Sequence, residues 1–221
     1  MRHIFEKGSD LHAPTLVLFH GTGGTEQDLL PLATLVSPKS SILSLRGNVL
    51  ENGMPRFFKR ISEGVFDEED LVFRTKEVNE FLNQSAKEYG FDRDNLVAIG
   101  YSNGANIIAS LLFHYQNVFR GAILHHPMIP LRGIQLPDLS DVPIFIGAGK
   151  NDPICSPRET EELQSLLRDS GAVVRVHWEN NGHQLIYNEA KAAAIWFREK
   201  FQNQSDHEKR ADSITSDDTF I

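Results

Sequence analysis

Val97-Ala98-Ile99-Gly100-Tyr101-Ser102-Asn103-Gly104-Ala105-Asn106 decides how this chain is read. It starts as an apolar run of strand character, passes through Gly-x-Ser-x-Gly, and continues from Ile107 to Phe113 as a segment that suits a buried helix. A strand that turns abruptly into a helix crowds its own backbone, and residues without a Cβ at 100 and 104 relieve the clash around Ser102. The turn presents the Ser102 hydroxyl at the start of the helix, where unpaired N–H groups and the helix dipole favour developing negative charge. That is the context a nucleophile elbow requires. The alternative on this stretch alone is a glycine-flanked turn serine that merely caps the helix.

Outward from the elbow, short apolar runs recur at Thr15 to Phe19, Ser41 to Leu45, Asn95 to Ile99, Gly121 to Leu124, Pro143 to Gly147 and Val173 to Trp178, each read as a strand. His3 to Phe5 adds a candidate edge strand. Between the strands lie longer segments with apolar residues three or four apart, such as Leu71, Thr75, Val78 and Leu82, which share one helical face. Alternating strand and helix predicts an α/β domain: a mostly parallel sheet with helices on both faces and right-handed crossovers. The expected domain spans residues 1–201. The link from Pro127 to Asp141 is too short for a helical lid, so an open cleft and short acyl groups are expected. Residues 202–221, rich in Ser, Asp and Thr and without apolar periodicity, are read as a disordered acidic tail.

In such sheets ligands bind beyond the carboxyl ends of the strands. A serine of ordinary pKa needs a neighbouring base, itself oriented by a carboxylate. Asp152 stands in Gly149-Lys150-Asn151-Asp152-Pro153 after one strand, and His183 in Asn180-Asn181-Gly182-His183 after the next. Each alone could be a turn former or a loop residue. All three in the order Ser, Asp, His, each behind a strand, point to Ser102, Asp152 and His183 as a catalytic triad. Phe19-His20-Gly21-Thr22-Gly23-Gly24-Thr25 is similar to a loop that donates one oxyanion-hole N–H, which assigns the two donors to Thr22 and Asn103. A phosphate cradle there fails on residues, because Glu26 stands where a third glycine is needed and no Gly-Lys-Ser/Thr follows. His20 is expected to be structural.

Other candidates are weaker. Neighbouring strand residues face opposite sides, so His125 and His126 make a poor metal chelate; one core ring and one cleft-facing ring, His126, are expected. The extended link from Arg46 to Phe58 lies near the cleft, and Arg46, Phe57 and Phe58 are candidate substrate-binding residues beside His126; the alternative for the two phenylalanines is a loop pinned to the core by its aromatics. Asp67-Glu68-Glu69-Asp70 reads as a solvated cap on the helix near Leu71. Cys155 is expected to be buried and inert.

With 221 residues, 40% hydrophobic and 24% charged, the chain has the composition of one ordinary globular domain, large enough to be stable without disulfides or metal. Twenty-two basic against 30 acidic residues give a net charge of −8, which argues against nucleic acid or an anionic membrane surface as partner. A single cysteine, no membrane-length apolar run and no signal-like start lead to the expectation of a cytoplasmic protein, monomer or homodimer, acting on a small-molecule ester.

Leu18-Phe19-His20-Gly21-Thr22-Gly23-Gly24, Gly100-Tyr101-Ser102-Asn103-Gly104, Asn151-Asp152-Pro153 and Gly182-His183 together resemble the phospholipase/carboxylesterase branch of the α/β-hydrolase superfamily, over residues 14–200. Within that branch Arg46-Gly47-Asn48-Val49-Leu50-Glu51-Asn52-Gly53 with Phe57-Phe58 is similar to small bacterial carboxylesterases associated with hydroquinone and catechol stress. The resemblance implies a Ser-His-Asp carboxylesterase without metal or organic cofactor, acting on short-chain or small aromatic esters through an acyl-enzyme on Ser102. The alternatives are an acyl-thioesterase, a lysophospholipase-type activity, or a non-catalytic binding module. Dienelactone hydrolases carry Cys at the elbow; Ser102 here argues for ordinary esters or thioesters.

Overall fold

A computed structural model describes residues 1–202, so the tail expected over 202–221 lies outside the described residues from 203 onward. In chain order the strands are β1 (His3–Glu6), β2 (Thr15–Phe19), β3 (Ile42–Leu45), β4 (Val49–Glu51), β5 (Met54–Arg56), β6 (Arg60–Ser62), β7 (Val65–Phe66), β8 (Leu96–Tyr101), β9 (Gly121–His125), β10 (Pro143–Gly149) and β11 (Val173–Glu179). The helices are α1 (Leu30–Val36), α2 (Glu68–Tyr89), α3 (Asn103–His114), α4 (Pro157–Asp169) and α5 (Tyr187–Phe197), followed by a π-helical turn, Arg198–Gln202.

Seven strands form the central sheet in the order β1-β3-β2-β8-β9-β10-β11. β1 runs antiparallel to β3 and the remaining pairs are parallel. The side-chain period of two sorts the strand residues between two cores. Leu16 and Leu18 of β2, Val97 and Ile99 of β8, and Phe145 of β10 pack with α1 and α5 on one face. Val17, Phe19, Leu96, Ala98, Ile144 and Ile146 pack with α2, α3 and α4 on the other. Because both faces are covered, the strands read as continuous apolar runs rather than alternating ones. No helix occupies the connection between β9 and β10, and among the described residues no lid domain covers the sheet.

The strands reach further at their carboxyl ends than the sequence runs, since the ladders continue to Tyr101 opposite His125 and Gly149 opposite Glu179. α2 begins ahead of Leu71: the Asp67 side chain accepts from the Asp70 N–H at 3.1 Å, and Gly90 ends the helix at φ 71°. Among the described residues no helix is long and apolar enough to cross a membrane.

The segment read as one extended link is two small hairpins, β4–β5 and β6–β7. Asn52 and Gly53, at φ 51° and 80°, make the turn of the first. Glu51 ties the hairpins together, accepting from Arg60 Nε at 2.9 Å and lying 3.5 Å from the Arg56 guanidinium. This architecture corrects three expected substrate contacts. The Phe57 N–H donates to Asn103 Oδ1 at 2.7 Å, which staples the chain to α3 and turns the aromatic pair inward. Phe57 and Phe58 are 2% and 0% exposed, Phe57 against Phe19 and His20, Phe58 against Phe66. Arg46 is not in the cleft either; it donates to buried Glu26, which also pairs with Arg2 at 2.8 Å.

Phe57 is therefore a core residue. Phe57→Ala is expected to cost about 3–5 kcal/mol of stability in urea unfolding; a loss under about 1 kcal/mol would contradict this packing.

Candidate active site

Ser102 follows β8 directly and precedes the first residue of α3, at φ 51° and ψ −114°, a conformation rare for any residue with a side chain. Two close approaches impose it. A Cβ on Gly104 would sit 2.0 Å from the Phe19 carbonyl oxygen, and one on Gly100 would sit 2.7 Å from the Ala105 nitrogen. Their absence lets α3 start against the end of β2. The Ser102 N–H donates to the His125 carbonyl at 2.9 Å and its own carbonyl accepts from Asn106, so the turn is held from both sides.

Asp152 lies beyond β10 and His183 beyond β11. The structure brings the three expected residues into one line: His183 Nε2 stands 2.8 Å from Ser102 Oγ, and His183 Nδ1 stands 2.8 Å from Asp152 Oδ2. A carboxylate only accepts, so Nδ1 carries the proton and Nε2 is left to accept from the serine hydroxyl. The Tyr101 hydroxyl donates to the His183 carbonyl at 2.8 Å, which anchors the loop that carries the imidazole.

Asp152 is buried and fully engaged. Its Oδ1 accepts from the Ile154 and Cys155 N–H groups at 2.8 and 2.9 Å, and its Oδ2 from His183 and His126, each at 2.8 Å. Burial by itself would raise the carboxyl's pKa, but the Cys155 N–H, His183, the Ile154 N–H and His126 outweigh it and hold the group below the usual aspartate range.

Contrary to the expected split of one core and one cleft ring, His125 and His126 are both buried, at 0% and 1% exposure. His126 leaves the strand with φ 52°, which ends the pleat that would have sent the two rings to opposite faces. His126 is thus no substrate contact; it bridges Asp152 and Glu189, while His125 Nδ1 bonds the other Glu189 oxygen. Glu189 escaped the sequence reading, because a lone acid in the first turn of a helix looks like a solvated capping charge. Donor atoms of His126, Asp152 and His183 lie within 4.8 Å of one another. The Nδ1 atoms of both rings are spent on Asp152, so a cation there would have to displace both protons.

Thr22 and Asn103, the two expected oxyanion donors, line the same cleft as Ser102. The Asn103 N–H opens α3 and has no acceptor within the helix. Thr22 Oγ1 accepts from the Arg56 guanidinium at 2.7 Å, which steadies its loop. His20 is structural: Nε2 accepts from the Gly47 N–H at 3.1 Å, so Nδ1 donates to the Gly21 carbonyl at 2.6 Å. Burial lowers its pKa and keeps it neutral. Cys155 is buried, its thiol donating to the His126 carbonyl at 3.2 Å, and burial pushes its pKa well up.

The cleft holds about 190 Å³. Its apolar wall is Phe66 of the second hairpin with Met128 and Ile154 from the links after β9 and β10, and its polar side is Arg56, Arg60 and Glu63.

Comparison with known proteins gives the family. The dienelactone hydrolase family matches residues 59–215. The MhqD protein of Bacillus subtilis (strain 168) is 57% identical over 90% of this chain and 98% of its own. The crystal structure of a Bacillus cereus carboxylesterase superposes with a TM-score of 0.90 at 63% identity, covering 91% of this chain and 95% of that one. More distant is acyl-protein thioesterase 1 of Cryptococcus neoformans var. neoformans, 21% identical over 72% of this chain and 74% of its own. Sheet order, elbow and sequence similarity agree: the chain is a hydrolase with the α/β-hydrolase fold and belongs to the dienelactone hydrolase family.

Proposed function

We propose that the protein is a serine carboxylesterase for short-chain or small aromatic esters, with Ser102 as nucleophile, His183 as general base and acid, and Asp152 orienting the imidazole. The observation that carries this reading is the unbroken line from Ser102 Oγ through His183 to Asp152, with both contacts at 2.8 Å. The similarity to the Bacillus cereus carboxylesterase supports the same activity.

In this mechanism Ser102 Oγ attacks the ester carbonyl as its proton passes to His183 Nε2. Asp152 keeps Nδ1 protonated and faces the positive charge that forms on the ring. The carbonyl oxygen, now an anion, lies toward the Thr22 and Asn103 N–H groups and the start of α3. Collapse breaks the bond to the alcohol oxygen, which takes the proton from His183 and leaves the acyl group on Ser102. Water then attacks the acyl carbon, losing a proton to His183; collapse breaks the bond to Ser102 Oγ, which takes that proton back, and the carboxylic acid departs.

Size argues for a small acyl group. A cleft of about 190 Å³ is below the roughly 300–1,000 Å³ of sites that enclose drug-sized ligands. Once the chain extends past Phe66 and Met128, each further CH₂ gains little of the roughly 0.8 kcal/mol that full burial gives. A second reading, a short-chain acyl-thioesterase, has the distant similarity to acyl-protein thioesterase 1 behind it and uses the same residues.

Ser102→Ala and His183→Ala are each expected to lower kcat on an activated ester at least about a thousandfold, and the double variant little more, because the pair works as a unit. Additive losses, or a Ser102→Ala enzyme near the wild-type rate, would overturn the assignment. Across p-nitrophenyl esters and matched thioesters, kcat/KM is expected to peak at or below about C6 without a jump at the micelle threshold. A rise that continues to C12 would show a lipid-binding surface instead, and a preference for sulfur leaving groups would favour the thioesterase.

A further inference from the structure

Behind Asp152 lies a buried ionic array that the attack itself does not use. His126 Nδ1 is 2.8 Å from Asp152 Oδ2, and His126 Nε2 is 3.0 Å from Glu189 Oε2. Carboxylate oxygens accept and never donate, so an imidazole between two ionised carboxylates carries a proton on both nitrogens. Glu189 in turn accepts from His125 on its other oxygen and is completely buried.

The fold makes room for this array at some cost. A Cβ on Gly147 would lie 2.0 Å from Glu189 Oε1, so β10 carries a glycine where Glu189 enters. His126 adopts the left-handed backbone that β-carbon residues seldom take, with its N–H on the Gly147 carbonyl at 2.8 Å. Buried ion pairs are commonly no more stabilising than apolar residues of equal volume. Stability alone is therefore a poor reason for two carboxylates and two histidines here.

The titratable groups that pack on His126 gather from five elements at the sheet's carboxyl edge. Tyr101 from β8 lies ring to ring at 6.0 Å, His125 precedes it on β9, Asp152 and Cys155 follow β10, His183 follows β11, and Glu189 opens α5. The His126 and His183 ring centres are 5.3 Å apart. A fixed cation at that distance opposes a second cation on its neighbour.

We propose that His126, bridging Asp152 and Glu189 with a proton on each nitrogen, is a positioning residue for the catalytic carboxylate: it fixes Asp152 and sets a cation beside His183 that opposes a second positive charge there. The inference rests on the serine reading above and adds a role for His126 and Glu189 outside the triad. It has direct support from direction: burial lowers the His126 pKa, but Glu189 and Asp152 raise it beyond the ordinary histidine value, while burial of Glu189 is outweighed by His125 and His126, which pull it down to about 2.

Two variants remove the cation by different routes. Glu189→Gln leaves His126 one carboxylate and lets it become neutral. His126→Asn combined with Glu189→Gln replaces the ring by an amide that still donates to Asp152, and asparagine tolerates the left-handed backbone. In both, the acid limb of the kcat/KM profile is expected to move up by about one pH unit or more, with the alkaline-plateau kcat falling by no more than about tenfold. An acid limb that stays in place in both variants overturns the proposal. The wild-type protein provides a measurement independent of variant folding: 15N shifts of the His126 ring should report both nitrogens protonated at neutral pH, and a neutral tautomer there overturns the proposal as well. Ser102→Ala measured alongside separates the failures, since its retention of activity sinks the serine reading whereas an unmoved limb beside an inactive Ser102→Ala sinks only the role of His126.

Discussion

The approach of α3 to β2 at Gly104 is the contact on which the rest of the site depends. With no side chain at 104, the first turn of the helix lies directly on the Phe19 and His20 carbonyls. Ser102 alone then joins β8 to that helix, and its backbone at φ 51° and ψ −114° is strained accordingly. The strain has a chemical consequence, since the serine is lifted clear of both strand and helix while the N–H groups of the helix start face the same space. Thr22 is brought to that space from the opposite side because its loop continues β2, the strand α3 packs on.

Electrostatics solves a second problem. Asp152 must be anionic and yet buried, and burial penalises the charged form. Four donors offset that penalty, two from the backbone of the loop after β10 and two from imidazoles. The backbone donors come from a turn closed on Asp152 itself, so the loop that carries the carboxylate also stabilises it. His126 extends the compensation to Glu189, and the N-terminal end of α5 is a favourable place for that second anion. The carboxyl edge of the sheet is thus a continuous chain of hydrogen-bonded carboxylates and imidazoles running from the cleft into the interior.

Much of this was legible in the sequence, for reasons that differ by element. Strands buried on both faces are apolar throughout, so β2, β8, β9 and β10 stood out as runs, and their order against the helices fixed the sheet class. Ser102, Asp152 and His183 could be associated because each stands just after a strand and the carboxyl ends of parallel strands converge. Phe57 and Phe58 illustrate what pattern cannot supply: an aromatic pair beside a cleft has the same sequence whether it faces the ligand or the core, and the outcome turned on the Asn103 side chain catching the Phe57 N–H. Asn52-Gly53 did carry a hairpin signal that the reading as an extended link passed over. Glu189 had none, because its burial depends on the missing Cβ of Gly147 far away in the chain.

The most direct test of the central claim is covalent. The protein would be treated with a small fluorophosphonate and the modified peptide located by mass spectrometry, in the wild type and in His183→Ala. One adduct on Ser102 is expected, formed far more slowly when the imidazole is removed. Labelling at another residue, or a Ser102 adduct that forms at the same rate without His183, would contradict it.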